Sequence, residues 1–290
     1  MSIKSVMKDS FKGSGAVQLD APALPLRRDL TVVYALSLVI ALLVAAAALS
    51  GFLLRASVYG TEALIMAFVP GDLFHLTIGL PVLLGAMGLA RRGRLAGLLS
   101  WPGALLYLLY SYVTNLLGVP FGPLFLPYLL LVILNAYTLI ALVASIDAEV
   151  VRRRLADRVP VKGAGGLLAG LTALFILNAV VEITTALSTR EPVGPLQIML
   201  WITDLTTIAP PCLVGGILLL RRRALGYAGA AGLLFAYTLL FLAVLPAMAF
   251  PALYAGAAVD GIGMVLMFIA GLVCFALWLR FARAADAPTT

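Results

Sequence analysis

The chain has 290 residues and a formal net charge of +7; 63% of its residues are hydrophobic and only 11% are charged. A water-soluble domain carries about 25% charged residues, so a soluble protein with an enlarged core is excluded. Nucleic acid is not indicated either. The basic residues stand in short clusters at the ends of apolar runs, where they orient a membrane protein and meet anionic headgroups.

Apolar runs of about twenty residues recur along the whole length, each long enough to cross a ~30 Å hydrocarbon layer as a helix. They predict an all-α polytopic transmembrane bundle of eight spans. Residues 1–29 carry Lys4, Lys8, Lys12, Arg27 and Arg28 among Ser, Gly, Pro and Asp. They read as a leader, with a short interfacial helix as an option. They lack a signal-peptide pattern, because the first apolar run is too long for an h-region. Span 1 is expected over Leu30–Leu54, with a loop from Arg55 to Thr61. Span 2 follows over Glu62–Ala90, interrupted at Pro70-Gly71. Arg91, Arg92 and Arg94 mark a tight turn before span 3 at Leu95–Leu117. Span 4 follows over Leu124–Ile146.

The charged stretch Asp147–Gly163 links two halves, either as an amphipathic interfacial helix or as a solvated connection. Span 5 is expected over Ala164–Leu187, span 6 over Pro195–Leu220, and span 7 over Ala224–Met248. A loop at Ala249–Val259 containing Pro251 then leads to span 8 at Asp260–Leu279. Repeat 1 is thus 30–146, the linker 147–163, repeat 2 164–283 and the tail 284–290. Of the 20 Lys and Arg residues, all except Arg55 and Arg190 fall on the face expected to hold both termini. The positive-inside rule makes that face cytoplasmic, in a prokaryotic plasma (inner) membrane.

The repeat is read from an echo. Asp72–Leu95 and Asp204–Leu225 align at Pro81 and Pro211, so that Leu83 meets Leu213, Gly85 meets Gly215 and Leu89 meets Leu219. Arg91-Arg92 then meet Arg221-Arg222, and a gap of two residues brings Asp72 onto Asp204. An internal duplication accounts for this. With four spans per copy, both copies insert the same way up, as parallel repeats about an axis along the membrane normal. Pro81 and Pro210-Pro211 remove amide donors in mid-span and are expected to distort both helices beneath their acids. Gly85, Gly88, Gly215 and Gly216 read as points of close helix contact.

The acids outside the basic segments are Glu62, Asp72, Glu182, Glu191, Asp204 and Asp260. At 1.5 Å per residue, Asp72 and Asp204 lie about 25–28 Å from their arginine stops. An intramembrane carboxylate is costly and faces the bundle interior or water. The expectation is therefore a polar pocket between the copies, open on the face away from the arginines. Its lining would be Asp72, His75, Tyr107, Ser111, Asn115, Asn178, Asp204 and Thr207. The competing reading makes each acid a helix cap, or a partner for a tyrosine or threonine across the repeat interface. His75 could pair with Asp72, and a lone histidine makes a poor metal site. Tyr107 is too deep for an aromatic belt, whereas the remaining tyrosines of its face could belong to one. Glu182 reads as solvent-exposed, and Cys212 and Cys274 as buried packing residues.

No nucleophile–base pair, HExxH, paired metal spacing or phosphate loop is present, so no cofactor or metal is expected. The partners implied are the lipid bilayer and an unidentified small solute or ion, with no nucleic acid. An oligomer or a partner subunit stays open. The leading functional reading is a carrier or ligand-binding membrane subunit for that solute. The alternatives are a membrane-embedded enzyme acting on a lipid or isoprenoid, and an assembly subunit of a membrane complex. At DLFHL (72–76), LP (80–81), ARRG (90–93) and GALLYLLYSY (103–112), the chain resembles a loose group of uncharacterised prokaryotic multispan membrane proteins. The resemblance is mainly over spans 2–4. It implies the same order of acid, proline, double arginine and aromatic residues, often with Asn where this chain has Ser111, and it implies no activity.

Overall fold

In lipid an apolar run can satisfy its backbone only by closing its own hydrogen bonds, and a helix does so. The computed structural model describes residues 24–256 and 258–287. Eight helices among them are long and apolar enough to cross a membrane. They are span 1 (Thr31–Leu53), span 2 (Glu62–Arg91), span 3 (Leu95–Gly118) and span 4 (Phe125–Ser145). The others are span 5 (Val161–Thr189), span 6 (Pro195–Leu220), span 7 (Ala224–Ala255) and span 8 (Gly261–Asp286). The protein is an all-α, multi-pass membrane bundle. The leader expected over residues 1–29 lies, up to residue 23, outside the described residues.

Three local expectations change. Span 2 runs through Pro70-Gly71 without a break, and its distortion falls lower, as a wide π turn at His75–Gly79 just before Pro81. Span 6 carries the same feature at Asp204–Ile208, just before Pro210-Pro211. Proline cannot supply the i→i−4 donor, and a turn closed by i→i+5 bonds absorbs the register error. The loop expected at Arg55–Thr61 holds a short helix, Arg55–Tyr59, ended by Gly60 at φ 70°. Span 7 continues through Pro246 and Pro251 to Ala255, where Gly256 at φ 66° stops it.

The linker forms a short helix at Ala148–Leu155, capped by the Asp147 carboxylate, which accepts from the Glu149 amide at 3.1 Å and the Val150 amide at 3.4 Å. Val151 and Leu155, one turn apart, are fully buried, and the helix packs on spans 7 and 8. It is docked on the protein. The chain before span 1 is tied to the same corner. The Arg27 amide donates to the Ser145 carbonyl and the Asp147 amide to the Pro25 carbonyl, each at 2.8 Å. The Arg27 guanidinium stands 3.3 Å from Asp147. The Arg27 hydrogen bond and then the capped amides hold the Asp147 carboxyl below the usual carboxylate range. A lowered folded-state value means stabilisation that is present above the unfolded value of about 3.9 and is lost as pH falls through the folded one. Asp147→Ala is therefore expected to speed hydrogen exchange at the Glu149 and Val150 amides several-fold at neutral pH. The difference from wild type should shrink in acid once intrinsic exchange rates are divided out.

Spans 3 and 7 pack against each other at the centre. Between lipid-facing helices there is little hydrophobic driving force, so close backbone approach through small residues carries the association. A Cβ on Gly103 would overlap the carbonyl of Gly232, and one on Gly232 would come within 3.1 Å of the Leu99 carbonyl. Gly97 and Gly226, one turn into spans 3 and 7, stand just as close to the ends of spans 2 and 6. The two glycine pairs are separated by the same interval in sequence. The arrangement crosses over. Span 7 packs on the Glu62–Phe74 segment of span 2, and span 3 packs on the Pro195–Thr203 segment of span 6. Gly216 meets Gly165 and Ala169 of span 5, as expected of a contact glycine, and Gly215 meets Leu233. Gly85 and Gly88 have open space around them, because that face of span 2 is turned outward.

Indole donors and one acid add polar contacts between span 3 and spans 1 and 8. Trp101 Nε1 donates to Ser37 of span 1 at 3.2 Å, and Trp278 Nε1 of span 8 donates to Ser100 at 2.9 Å. Asp286 closes the basic face. It accepts from Arg94 at 2.8 Å and from the Ala96 amide at 3.1 Å, and so caps the start of span 3.

Candidate functional site

The two carboxylates singled out above sit in different surroundings. Asp72 is 1% exposed and accepts a hydrogen bond from the hydroxyl of Tyr59, at the end of the short helix after span 1. A Cβ on Gly51 of span 1 would overlap both groups, so glycine there makes room for the pair. One turn along span 2, His75 is buried between rings. Its centroid lies 5.3 Å from Tyr112 and 5.7 Å from Tyr107. Tyr112 continues the stack to Tyr128 of span 4 at 5.9 Å. Phe74 meets Tyr107 edge-on at 5.7 Å.

Asp204, the first residue of its π turn, is half-buried and accepts from Tyr110 of span 3 at 2.7 Å. It borders a cavity of about 160 Å³ that also touches spans 5, 7 and 8. Thr172 and Tyr237 exchange a hydrogen bond of 2.7 Å on its wall. Phe175 stands 6.4 Å from Tyr237 and 6.2 Å from Phe241, and the last two rings stack at 5.8 Å. One carboxylate, three hydroxyls and four aromatic rings thus surround one small space.

The acids therefore do not face one another across a shared pocket, and Asp72 is not part of the wall beside Asp204. The reason is helical phase. Measured from the aligned prolines, the gap of two residues turns one carboxylate about 200° around the helix axis relative to the other. Of the expected lining, Asp72, His75 and Tyr107 come together, in a closed environment. Asn115 is buried further along span 3, and the Ser111 hydroxyl is turned back onto the Tyr107 carbonyl at 3.0 Å. Asn178 faces away, donating to Glu182 at 2.8 Å on an exposed surface. Thr207 lies on the other side of span 6, in an apolar groove of about 390 Å³ reaching span 4.

Glu182 is not simply solvated. It also accepts from Trp201 at 2.7 Å and from Gln197 at 3.1 Å, and so ties span 5 to span 6. Cys212 and Cys274 are fully buried and unpaired with each other, in keeping with packing roles. Sequence reading missed Tyr59, Thr172, Tyr237 and the weight of Tyr110. Tyr59 sits in a segment that scans as loop, and its only signal is an aromatic residue just before a glycine stop.

Comparison with known protein families, curated proteins and solved structures finds no match to this chain.

Proposed function

We propose that this multi-pass membrane protein handles a small solute, held in the cavity beside Asp204. The observation that carries the reading is a half-buried carboxylate opening onto an aromatic-walled space inside the bundle. A cavity of 150 Å³ accepts a molecule of benzene size, so about 160 Å³ suits a compact guest. The carboxylate attracts positive charge, and the faces of Phe175, Tyr237 and Phe241 favour a cation over them. A compact organic cation such as a short alkylamine satisfies both. Tyr110 comes from the first half and the rest of the wall from the second, so the site uses the interface of two four-span copies. The wide turns of spans 2 and 6 and the reciprocal glycines of spans 3 and 7 support a parallel duplication. The arginine-rich face is the cytoplasmic one of a prokaryotic plasma membrane, by the distribution of Lys and Arg.

The test is thermal stabilisation of the purified protein by a graded series of alkylamines, with matched alcohols as neutral controls. Amines should stabilise and alcohols should not, and Asp204→Asn should weaken the amine effect at least tenfold, about 1.4 kcal/mol. Equal stabilisation by alcohols removes the charge argument, and no response to any of the series removes the reading. Uptake of the best amine into liposomes then separates a carrier from a receptor.

The apolar groove supports a second reading. It is walled by Leu106, Leu109, Leu139, Val214 and Leu218, with Thr207 as its polar member, and its shape and chemistry suit a lipid acyl chain. A protein that acts on a lipid or isoprenoid would retain lipid there through purification. Val214→Trp would expel that lipid without altering the amine response.

A further inference from the structure

In the first half of the bundle, His75 is 2% exposed, yet among the described residues neither of its ring nitrogens has a hydrogen-bond partner. A neutral imidazole offers one donor and one acceptor, and buried polar groups are as a rule satisfied. Asp72 lies one helical turn from His75, and among the described residues its carboxylate, which has room for several donors, accepts from Tyr59 alone.

Asp72 meets Tyr59 of the short helix and lies against Gly51 of span 1, and span 7 packs on the same segment of span 2. His75, one turn along, meets Tyr107 and Tyr112 of span 3, and Tyr112 leads to Tyr128 of span 4. Among the described residues no Lys or Arg forms an ion pair with Asp72, and no three His, Cys, Asp or Glu side chains converge to hold a metal ion. A buried carboxylate without a cation is costly. The cheapest compensation among these groups is a proton.

We propose that the Asp72 carboxyl is a buried proton-binding site in the first half, with His75 one turn along the same helix, separate from the cavity beside Asp204. Binding forms one O–H bond on the carboxyl and cancels its charge; release breaks that bond, hands the proton to water and leaves a carboxylate. Tyr59 donates to the carboxylate in the second state. The ring stack of Tyr112 and Tyr128 leads from His75 into span 4. This inference does not rest on the solute reading, because it involves none of the cavity walls.

The experiment is infrared spectroscopy of the full chain in lipid nanodiscs, titrated in H₂O and in D₂O. A carboxylic C=O band should rise and fall with pH, shift in D₂O, vanish in Asp72→Asn and persist in Asp204→Asn. His75→Gln should move its midpoint by on the order of one pH unit. Where Asp72→Asn does not fold, Tyr59→Phe serves instead. It leaves the carboxyl in place, removes its one donor, and should move the same midpoint. A band that never titrates, or that ignores Asp72 and Tyr59, overturns the proposal. An unmoved midpoint in His75→Gln removes the histidine from the site. Loss of the band on adding sodium but not potassium at fixed pH reassigns the site to sodium and overturns it as well.

Discussion

Gly103→Leu is expected to leave little folded protein, and Gly232→Leu to do the same. Each introduces a side chain where the backbone of the opposite central helix already stands. A Cβ on Gly103 alone would overlap the Gly232 carbonyl. Inserting atoms into a packed interior costs about 1–3 kcal/mol when side chains can shift. Here the obstacle is main chain in the most buried span of the bundle, so the upper end of that range or beyond applies. Gly88→Leu is the control, because that glycine has open space around it and its substitution should change little. Unfolding midpoints and the monodisperse fraction in mild detergent read the difference. Equal behaviour of Gly88→Leu and Gly103→Leu would show that spans 3 and 7 do not meet there.

Gly51→Ala carries the second large effect, and its cause is specific. The added methyl would collide with the Asp72 carboxylate and the Tyr59 hydroxyl together. The pair must separate or span 1 must back away, at a cost of roughly 1–3 kcal/mol. The same substitution made in an Asp72→Ala background should be milder, because half of the obstruction is gone. Contacting residues show coupling of about 0.5–3 kcal/mol in such cycles. A double-mutant cycle on thermal unfolding measures it, and strict additivity would mean that Gly51 does not make room for the acid.

Much of the architecture could be read from run lengths and arginine clusters, because span length and backbone satisfaction in lipid leave few alternatives. The structure departs from the sequence expectation at two breaker residues. Pro251 sits within a helix that ends only at Gly256, and Pro70 sits in an unbroken turn of span 2. The break belongs instead to the residues just before Pro81 and Pro210. Proline marks a missing donor, and its neighbours decide whether a kink, a wide turn or nothing follows.

The site was less legible than the fold. Asp72, His75 and Tyr107 share one region because they lie near one another on adjoining spans. Their partner Tyr59 is contributed by a turn with no periodic signal. The pairing of Asp204 with Tyr110 needed the packing of span 3 on span 6, which no spacing encodes. A two-residue gap is not neutral: in a helix it is more than half a revolution, and it sends two matching acids toward different neighbours. Phe74 stands where Asp204 would fall in the ungapped alignment, and its ring lies against Tyr107 in the first half.

The widened turn that begins at Asp204 has a mechanical consequence. Such a turn stores one surplus residue in the helix, and surrendering it would unscrew the Pro195–Thr203 segment by about 100° relative to the segment below. Asp204 stands at the pivot, where the Tyr110 hydroxyl holds it. A twist of that size would carry its charge off the aromatic chamber. Span 6 thus resembles a swivel with a latch, and Tyr110 is the latch.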